Sequence, residues 1–193
     1  MGERDRKKLI DLAQSAPSTV ILAEDEAKVY LQASTMAVWA PRGQAFTIRC
    51  DPGRTHANFY GTLNLKTGCE IVSRAEKMNA EASAKHLQAL LDAHPDQDIV
   101  LLWDRAPWHR GAAIRSVLAA NPRLSIIELP TAAPDLNPQE HVWRATRRAV
   151  CHNHIERRLP GLADRFEQHL TATTFHSSFL DHYGWNLVCP FST

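Results

Sequence analysis

Short runs of apolar residues mark the strands of this sequence. Thr19 to Ala23 and Ile99 to Trp103 are almost entirely apolar, and Leu124 to Leu129 is a third, partly β-branched run. Runs of this length are typical of strands that a sheet buries on both faces. The pattern therefore predicts three strands separated by long intervening segments.

A β-hairpin is predicted between the first two of these strands. Asn58 to Leu65 and Cys69 to Ser73 have strand-like composition and flank Lys66-Thr67-Gly68, a turn in which glycine supplies a positive φ. Ala45 to Arg49 predicts a further short strand before the hairpin. The sheet is therefore expected to begin with antiparallel strands.

Helical periodicity predicts the segments that connect and follow the strands. Asn79 is an N-cap candidate for a helix that runs to His94, and further helices are predicted from Gly111 to Ala120 and from Pro138 to about Val150. A last amphipathic helix has an apolar face formed by Leu159, Leu162, Phe166 and Leu170. Residues 1–17 predict a charged lead-in helix or linker, and the chain ends in an aromatic tail with Phe175, Phe179, Tyr183 and Trp185.

The order of these elements predicts an α/β fold. Antiparallel strands followed by right-handed β-α-β crossovers suit a mixed five-stranded sheet flanked by helices, as in ribonuclease-H-like domains. The domain is expected over residues 18–155, with residues 156–193 forming a C-terminal helix and tail packed on it. In such a sheet the first strand lies beside the fourth. Asp25 and Asp104 are therefore expected to be neighbours in space although they are 79 positions apart.

Composition and charge exclude several classes of protein. Of the 193 residues 44% are apolar, enough to bury a core, yet no apolar run is long enough to span a membrane or to form a signal segment. The four cysteines form no CxxC pair, which argues against a zinc ribbon or a disulfide framework, so a cytoplasmic protein is expected. The net charge is only +1, but residues 104–158 hold nine arginines, no lysine and five acids. The basic surface is therefore expected in the C-terminal half.

Two aspartates stand where strands can present them to a ligand. Asp25 lies between Glu24 and Glu26, and strand alternation places its side chain on the face opposite to theirs. Asp104 follows the apolar run that ends at Trp103, and ligands of α/β sheets collect beyond the carboxyl ends of such strands. Each aspartate also has a structural interpretation: Asp25 as part of a solvated strand end, and Asp104 as the cap of the following loop.

Glu140 is a third candidate carboxylate at the start of a predicted helix. Asn137 as N-cap, Pro138 at the first helical position and Glu140 at the third form a capping box, which is a sufficient structural explanation. Glu140, Arg144 and Arg148 are spaced four apart and share a helix face, so two guanidinium groups suited to phosphates lie beside the carboxylate. The alternative is a surface ion pair between Arg144 and Glu140, which adds little stability.

Three carboxylates without a required Cys or His would form an all-oxygen site. Such a site favours Mg²⁺ or Mn²⁺ over Zn²⁺. Two ions of this kind stabilise the attacking and the leaving oxygen of a displacement at phosphorus. The sequence has no GxxxxGK[ST] or GxGxxG motif, so no nucleotide cofactor is expected.

Five sequence blocks lie between about Val20 and Val150. They are Ala23-Glu24-Asp25-Glu26-Ala27, Trp39-Ala40-Pro41-Arg42-Gly43-Gln44, Phe59-Tyr60-Gly61 through Thr67-Gly68, Leu102-Trp103-Asp104-Arg105-Ala106-Pro107-Trp108-His109, and Leu129-Pro130 with Pro134-Asp135-Leu136-Asn137-Pro138-Gln139-Glu140-His141-Val142-Trp143. These blocks resemble the DDE transposases of bacterial insertion sequences related to mariner elements, the IS six-thirty type. The last block is the most specific, and the 35 residues between Asp104 and Glu140 are similar to the family's spacing of its second acid and its glutamate.

The resemblance implies the roles of the three acids. Asp25, Asp104 and Glu140 would be the catalytic residues of a transposase and would hold two Mg²⁺ or Mn²⁺ ions, with Asp25 bridging both. The implied partners are element-end and target DNA, a helix-turn-helix segment or upstream reading-frame product, and a second copy of the chain in the DNA complex. The implied setting is the bacterial cytoplasm, in association with the nucleoid when DNA is bound.

Further family positions are matched or altered. Trp39, Arg42, Gly43 and His109 match residues of the family. Arg105 and Gln139 stand where Asn and an aliphatic residue are usual. Ala132-Ala133 replaces the usual Tyr-Ser. The candidates for contact with DNA are Arg42, Arg105, His109, Arg144, Arg147 and Arg148.

Two other functions share this sequence pattern. One is a truncated or domesticated chain that binds DNA or a transposase without cutting, and the other is a ribonuclease-H-like nuclease without strand transfer. The segment Cys151-His152-Asn153-His154 is too tightly spaced to hold one ion and is interpreted as a surface helix end.

Overall fold

The structure, a computed structural model, describes residues 11, 15–16, 18–44, 47–48, 53–130 and 137–175. Within these residues the chain forms five strands and four α-helices. In chain order they are β1 (Val20–Tyr30), β2 (His56–Asn64), β3 (Glu70–Ala75), α1 (Ala80–Ala93), β4 (Ile99–Trp103), α2 (Ala112–Ala120), β5 (Leu124–Glu128), α3 (Pro138–Thr146) and α4 (Leu159–Ala172). None of the described helices has the length and apolar character that a membrane span requires.

The five strands form one mixed sheet. Their order is β3-β2-β1-β4-β5, with β1, β2 and β3 antiparallel and β1, β4 and β5 parallel. The predicted placement of the first strand beside the fourth is therefore confirmed, and Ala23 pairs with Leu102 two positions before each aspartate. This is the topology of a ribonuclease-H-like fold, and it places the middle of β1 beside the end of β4.

Alternation along the strands divides the core into two layers. Ile21 and Ala23 of β1 face a cluster that includes Trp143 of α3 and Phe166 of α4. Val20 and Leu22 face the opposite cluster, where the leucines of α1 and Ile114 of α2 pack. Helices α3 and α4 thus cover one face of the sheet, and α1 and α2 cover the other.

Local sequence signals explain several element ends. Gly68 adopts a φ of 71° in the predicted hairpin turn, a conformation that L side chains rarely adopt. Asn79 caps α1, since its side chain accepts a hydrogen bond from the backbone N–H of Ala82 over 2.9 Å. Both predictions are confirmed.

Three predictions from the sequence differ from the structure. Strand β1 continues to Tyr30 because Ala27 and Val29 extend the buried alternation past the acidic residues, which therefore lie in the middle of a strand. Helix α3 ends at Thr146 and continues as a π-helical turn, Arg147–Cys151. Cys151 and His154 are buried, so their interpretation as a surface helix end is wrong.

Some predictions lie outside the described residues. These are most of the lead-in helix at residues 1–17, most of the short strand at 45–49, the loop at 131–136 and the aromatic tail after Phe175. Helix α4 is described and packs on the sheet through Leu162, Phe166 and Leu170, all buried.

Candidate active site

The acidic run in β1 sends its side chains to opposite faces of the sheet. Asp25 Oδ2 accepts a hydrogen bond from the indole Nε1 of Trp143 over 3.1 Å, on the face covered by α3. Glu24 and Glu26 point to the other face, where both lie near Nε2 of His109. The alternation predicted from the sequence therefore holds at this site.

Asp104 follows the last residue of β4 and shapes the loop after it. Its Oδ1 accepts a hydrogen bond from the backbone N–H of Ala106 over 2.8 Å and lies 3.1 Å from Nδ1 of His109. The hydrogen bond from His109 lowers the pKa of Asp104, and the Ala106 N–H adds to this effect against the cost of burial. Asp104 thus caps its loop, which agrees with its structural interpretation, and 48% of its side chain remains exposed.

Glu140 lies in the first turn of α3, which hydrogen bonds anchor to the sheet. Asn137 caps the helix by accepting from the backbone N–H of Gln139 over 3.1 Å, and it donates to the backbone oxygen of Glu24 over 2.9 Å. Gln139 Nε2 donates to Glu70 Oε1 of β3 over 2.5 Å. Within residues 137–175 the Glu140 side chain accepts no hydrogen bond from a backbone N–H at the start of the helix. Asn137 is therefore the cap of α3, and half-buried Glu140 is left for another role.

The charges of the other two predicted carboxylates act on Asp25. Burial, together with the charges of Glu140, Glu26 and Asp104, raises the pKa of Asp25 to about 8. Like charges shift a pKa in this way only when they lie close together in a poorly solvated place. The pairing of Ala23 with Leu102 and the hydrogen bond from Trp143 place Asp25 close to the end of β4 and to the first turns of α3.

The donor set at this site fits a hard divalent ion. Asp25, Asp104 and Glu140 offer carboxylate oxygens, the ligands that Mg²⁺ and Mn²⁺ prefer. The raised pKa of Asp25 fits such a site, because it reflects a largely buried carboxyl group with negative charge around it. The residues present are thus suited to the metal that the sequence predicts.

A second cluster lies on the opposite face of β1, and the sequence did not predict it. Glu24, Glu26 and His109 bring potential ligand atoms within 4.8 Å of one another, on the α1 face of β1. Burial raises the pKa of Glu24 well above its ordinary value, and the charge of Glu26 adds to this. Burial alone would lower the pKa of His109, but hydrogen bonds to Asp104 and Glu26 and the charge of Glu24 raise it to about 11. Strand alternation groups the two glutamates, but no sequence signal brings His109 to them.

A family model supplies the decisive comparison. The model described as DDE superfamily endonuclease matches residues 20–159, which include Asp25, Asp104 and Glu140. The chain belongs to the DDE superfamily endonuclease family. No curated protein matches the chain.

Solved structures agree with the fold of this DDE endonuclease domain. The Mos1 transposase paired-end complex with left transposon end matches with a TM-score of 0.64 and 16% identity, covering 97% of this chain and 59% of that chain. The catalytic domain of Mos1 mariner transposase matches with a TM-score of 0.57 and 14% identity, covering 97% and 88%. The mariner Mos1 paired-end complex with Mg matches with a TM-score of 0.60 and 16% identity, covering 97% and 62%.

These likenesses have a defined extent. The chain spans about 59% of the length of the Mos1 chain in the paired-end complex. At identities this low, the comparison establishes the fold that the sequence predicted, a ribonuclease-H-like sheet.

Most of the arginines predicted to contact DNA are exposed in the DDE domain. Arg144 and Arg148 are exposed on α3 and the turn after it, and Arg147 between them is half-buried. Arg105 is exposed and pairs with Glu128 across 3.0 Å. Arg42 is exposed in the turn with Gly43, within the segment between β1 and β2. Each arginine is accessible to at least a partial phosphate contact.

His109 requires a correction. It is 6% exposed, and both of its ring nitrogens face acidic residues or backbone of the site. A histidine enclosed in this way offers no surface to a DNA backbone. Its predicted contact with DNA is therefore wrong, and its place is inside the DDE domain, against Asp104.

Proposed function

We propose that this chain is the catalytic domain of a DNA transposase of the IS six-thirty type. The proposal is supported by the placement of Asp25, whose strand pairs Ala23 with Leu102 of β4 and whose side chain accepts a hydrogen bond from Trp143, one turn after Glu140 on α3. The family match across all three residues supports the same assignment. The activity is DNA strand cleavage followed by strand transfer.

Asp25, Asp104 and Glu140 would hold two Mg²⁺ or Mn²⁺ ions. When bound, such ions supply charge stabilisation to the attacking and leaving oxygens of a displacement at phosphorus. The solved Mos1 complexes include one with Mg and one with Mn, which supports this choice of metal. The protein provides the carboxylates and fixes their positions.

The contacts around each carboxylate suit that task. Trp143 holds Asp25 from α3, and the Ala106 N–H holds Asp104 from its own loop. Asn137 ties the first turn of α3 to the backbone of β1, which sets the position of Glu140 relative to Asp25. Positioning of this kind is the main contribution of a protein to phosphoryl transfer.

The proposed reaction has two displacements at phosphorus. Water attacks a phosphodiester at an element end, the P–O bond to the 3′ oxygen breaks, and a 3′-hydroxyl is released. That hydroxyl then attacks a phosphodiester of target DNA, joining the strands and releasing a new 3′-hydroxyl. No covalent intermediate with the protein forms, and TA-containing targets follow from the family resemblance.

The proposed partners are the two DNA substrates and other protein segments. Arg144 and Arg148 lie one and two turns beyond Glu140 on an exposed face, where they would contact phosphates of the bound strand. Mos1 structures that hold transposon ends show this type of complex for that protein. A helix-turn-helix segment, a second copy of the chain and a bacterial cytoplasmic setting complete the proposal.

The test combines element-end DNA, a target plasmid and Mn²⁺ with this chain, and scores nicks and joined products. Asp25→Asn, Asp104→Asn and Glu140→Gln should each abolish both products. Asp98→Asn, an exposed aspartate before β4, and Glu81→Gln, an exposed glutamate in the first turn of α1, are matched controls that should cleave normally.

Other products would indicate other functions. Nicks without joined DNA would identify a nuclease without strand transfer, and binding without any nick would identify a non-catalytic DNA-binding chain. Ca²⁺ should permit DNA binding but not cleavage, because it accepts longer and less fixed ligand distances than Mg²⁺. Cleavage that persists in excess chelator would contradict the metal assignment.

A further inference from the structure

His109 links Asp104 to the two glutamates on the α1 face of β1. Its Nδ1 donates a hydrogen bond to the backbone oxygen of Asp104 over 2.9 Å and forms an ion pair with Oδ1 of the same residue, 3.1 Å away. Its Nε2 lies 3.0 Å from Oε1 of Glu26 and 3.4 Å from Oε2 of Glu24. A single imidazole thus spans from the loop after β4 to the acidic run of β1.

The orientation of this ring is fixed from several sides. The Trp103 ring stacks on His109 with centroids 4.2 Å apart and an angle of 6° between planes. The backbone N–H of His109 donates to the Ala106 oxygen over 3.1 Å, within the 3₁₀ turn Pro107–His109. Trp108 Nε1 donates to Oε1 of Glu26, which holds the far acceptor in place. The ring therefore has little freedom to turn away from Asp104.

The two carboxylate oxygens of Asp104 differ in their hydrogen-bond partners. Oδ1 faces two donors, the Ala106 N–H at 2.8 Å and His109 Nδ1 at 3.1 Å. Among the described residues Oδ2 has no comparable hydrogen bond. A carboxylate held through one oxygen presents the other in a defined direction.

We propose that His109 is a positioning residue that, backed by Glu26, orients the carboxylate of Asp104 for a divalent ion. The inference rests on the proposed function, in which Asp104 holds metal. Groups that hydrogen-bond to a metal-ligating carboxylate or histidine set its orientation, and their loss lowers metal affinity by roughly 10- to 100-fold. Here Glu26 would orient His109, His109 would orient Asp104, and Asp104 would bind the metal.

The same atoms raise the alternative of a metal held by Glu24, Glu26 and His109 themselves. Their ligand atoms lie within 4.8 Å, and Oε2 of the 2% exposed Glu24 accepts no hydrogen bond from the described residues. Against this, both nitrogens of His109 already face acceptors in Asp104 and Glu26. The geometry therefore favours positioning, and metal binding by this cluster is an outcome that the test must detect.

The test measures Mn²⁺ binding directly, by electron paramagnetic resonance of unbound Mn²⁺, so that it does not depend on activity. Asp104→Asn defines the site that Asp104 serves. His109→Gln and Glu26→Gln should weaken that same site by roughly 10- to 100-fold. His109→Asn, whose amide nitrogen can occupy the place of Nδ1, should retain more affinity than His109→Gln.

A matched control separates positioning from general loss of packing. His86 is also a buried histidine on the α1 face, but it bonds to the hydroxyls of Thr62 and Ser73. His86→Gln should lower the melting temperature without changing Mn²⁺ affinity. In DNA cleavage, His109→Gln should need more Mn²⁺ for half-maximal rate and should recover at saturating Mn²⁺, which a purely structural defect would not do.

Each other outcome overturns the inference in a different way. If Asp104→Asn lowers Mn²⁺ binding and His109→Gln does not, His109 does not position Asp104. If His109→Gln removes a whole equivalent of Mn²⁺ that Asp104→Asn retains, the cluster is itself a metal site. If Asp104→Asn leaves Mn²⁺ binding unchanged, the metal assignment in the proposed function fails and the inference fails with it.

Discussion

Trp143 donates a hydrogen bond from its indole Nε1 to Oδ2 of Asp25 across 3.1 Å, and so joins α3 to β1. Trp143 lies one turn after Glu140 on the same helix. The helix that supplies one carboxylate of the site therefore also holds another. The position of Glu140 relative to Asp25 depends on how firmly α3 is seated on the sheet.

Trp143→Phe tests this relationship. Phenylalanine keeps an aromatic ring near Phe166 but removes the N–H that faces Asp25. We expect the free energy of unfolding to fall by about 1–3 kcal/mol, the cost of a lost buried hydrogen bond and some packing. We expect DNA cleavage to fall about tenfold, which corresponds to ~1.4 kcal/mol. Urea unfolding and cleavage assays measure the two effects.

Phe166→Leu is the control, because it perturbs the same core without touching a polar atom of the site. It should lower stability and leave cleavage by the folded protein near normal. Equal losses of cleavage in the two variants would show that the Trp143 hydrogen bond has no specific effect.

Much of the fold follows from local pattern in the sequence. Strand β4 has the predicted bounds because five consecutive apolar residues can be accommodated only where both faces of a strand are covered. The hairpin follows from Gly68, and the pairing of β1 with β4 follows from the order of the elements. The same order placed Asp25 and Asp104 on neighbouring strands, so the first two carboxylates of the site were accessible to prediction.

The contacts that hold the site were not accessible, because they join distant positions. His109 reaches Glu26 from 83 positions away, and neither residue carries a local signal for the other. Gln139 shows the same limit. The sequence marks it only as a departure from the family's aliphatic residue, whereas in the structure it donates to buried Glu70. Burial raises the pKa of Glu70 well above its ordinary value despite that hydrogen bond.

The pH dependence of stability should report the charge of Asp25. Its pKa is raised from 3.8 to about 8 in the folded protein, so the unfolded chain releases this proton at lower pH than the folded one does. Metal-free stability should therefore fall as pH rises from about 4 to about 8. Asp25→Asn removes this contribution. By pH 8 the free energy of unfolding of this variant should therefore exceed that of the wild type by an amount on the order of 2–5 kcal/mol.

Chemical unfolding between pH 4 and pH 8 in chelator measures the difference between wild type and Asp25→Asn. Asp98→Asn, at an exposed position, is the control and should follow the wild-type curve. Saturating Mn²⁺ should reverse the order, because the wild-type site gains binding energy that Asp25→Asn loses. A constant difference across this pH range would contradict the assignment.

Gly61 should be intolerant of any side chain. It pairs with Asp25 across β1 and β2, beneath the first turns of α3. An added Cβ would overlap the ring of Trp143 and would lie 2.5 Å from both Gln139 Nε2 and Glu70 Oε1. Gly61→Ala should therefore cost about 1–3 kcal/mol of stability through overpacking, and it should lower cleavage by displacing α3.

Thermal unfolding and cleavage assays follow Gly61→Ala beside Gly161→Ala. At Gly161 the nearest atom to an added Cβ is the end of the flexible Glu156 side chain, 3.0 Å away. Alanine is also the better helix former, so Gly161→Ala should be neutral or slightly stabilising in α4. A Gly61→Ala protein as stable and active as the wild type would show that α3 can shift without effect on the site.

DNA binding by these 193 residues should be weak, independent of sequence and sensitive to salt. Arg144 and Arg148 are exposed near Glu140 and suit contact with phosphate oxygens, and such contacts carry no sequence information. Arg144→Gln and Arg148→Gln should each lower affinity equally on all DNA sequences and reduce the slope of log affinity against log salt by about 1.

Arg165→Gln is the control, because Arg165 lies on a different helix and pairs with Glu156 at 3.2 Å. It should change neither the affinity nor the slope. Fluorescence anisotropy with labelled duplexes from 50 to 200 mM salt, about the range over which such contacts are lost, provides the measurement. A footprint confined to one defined DNA sequence, made by this chain alone, would require a base-reading surface in addition to these arginines.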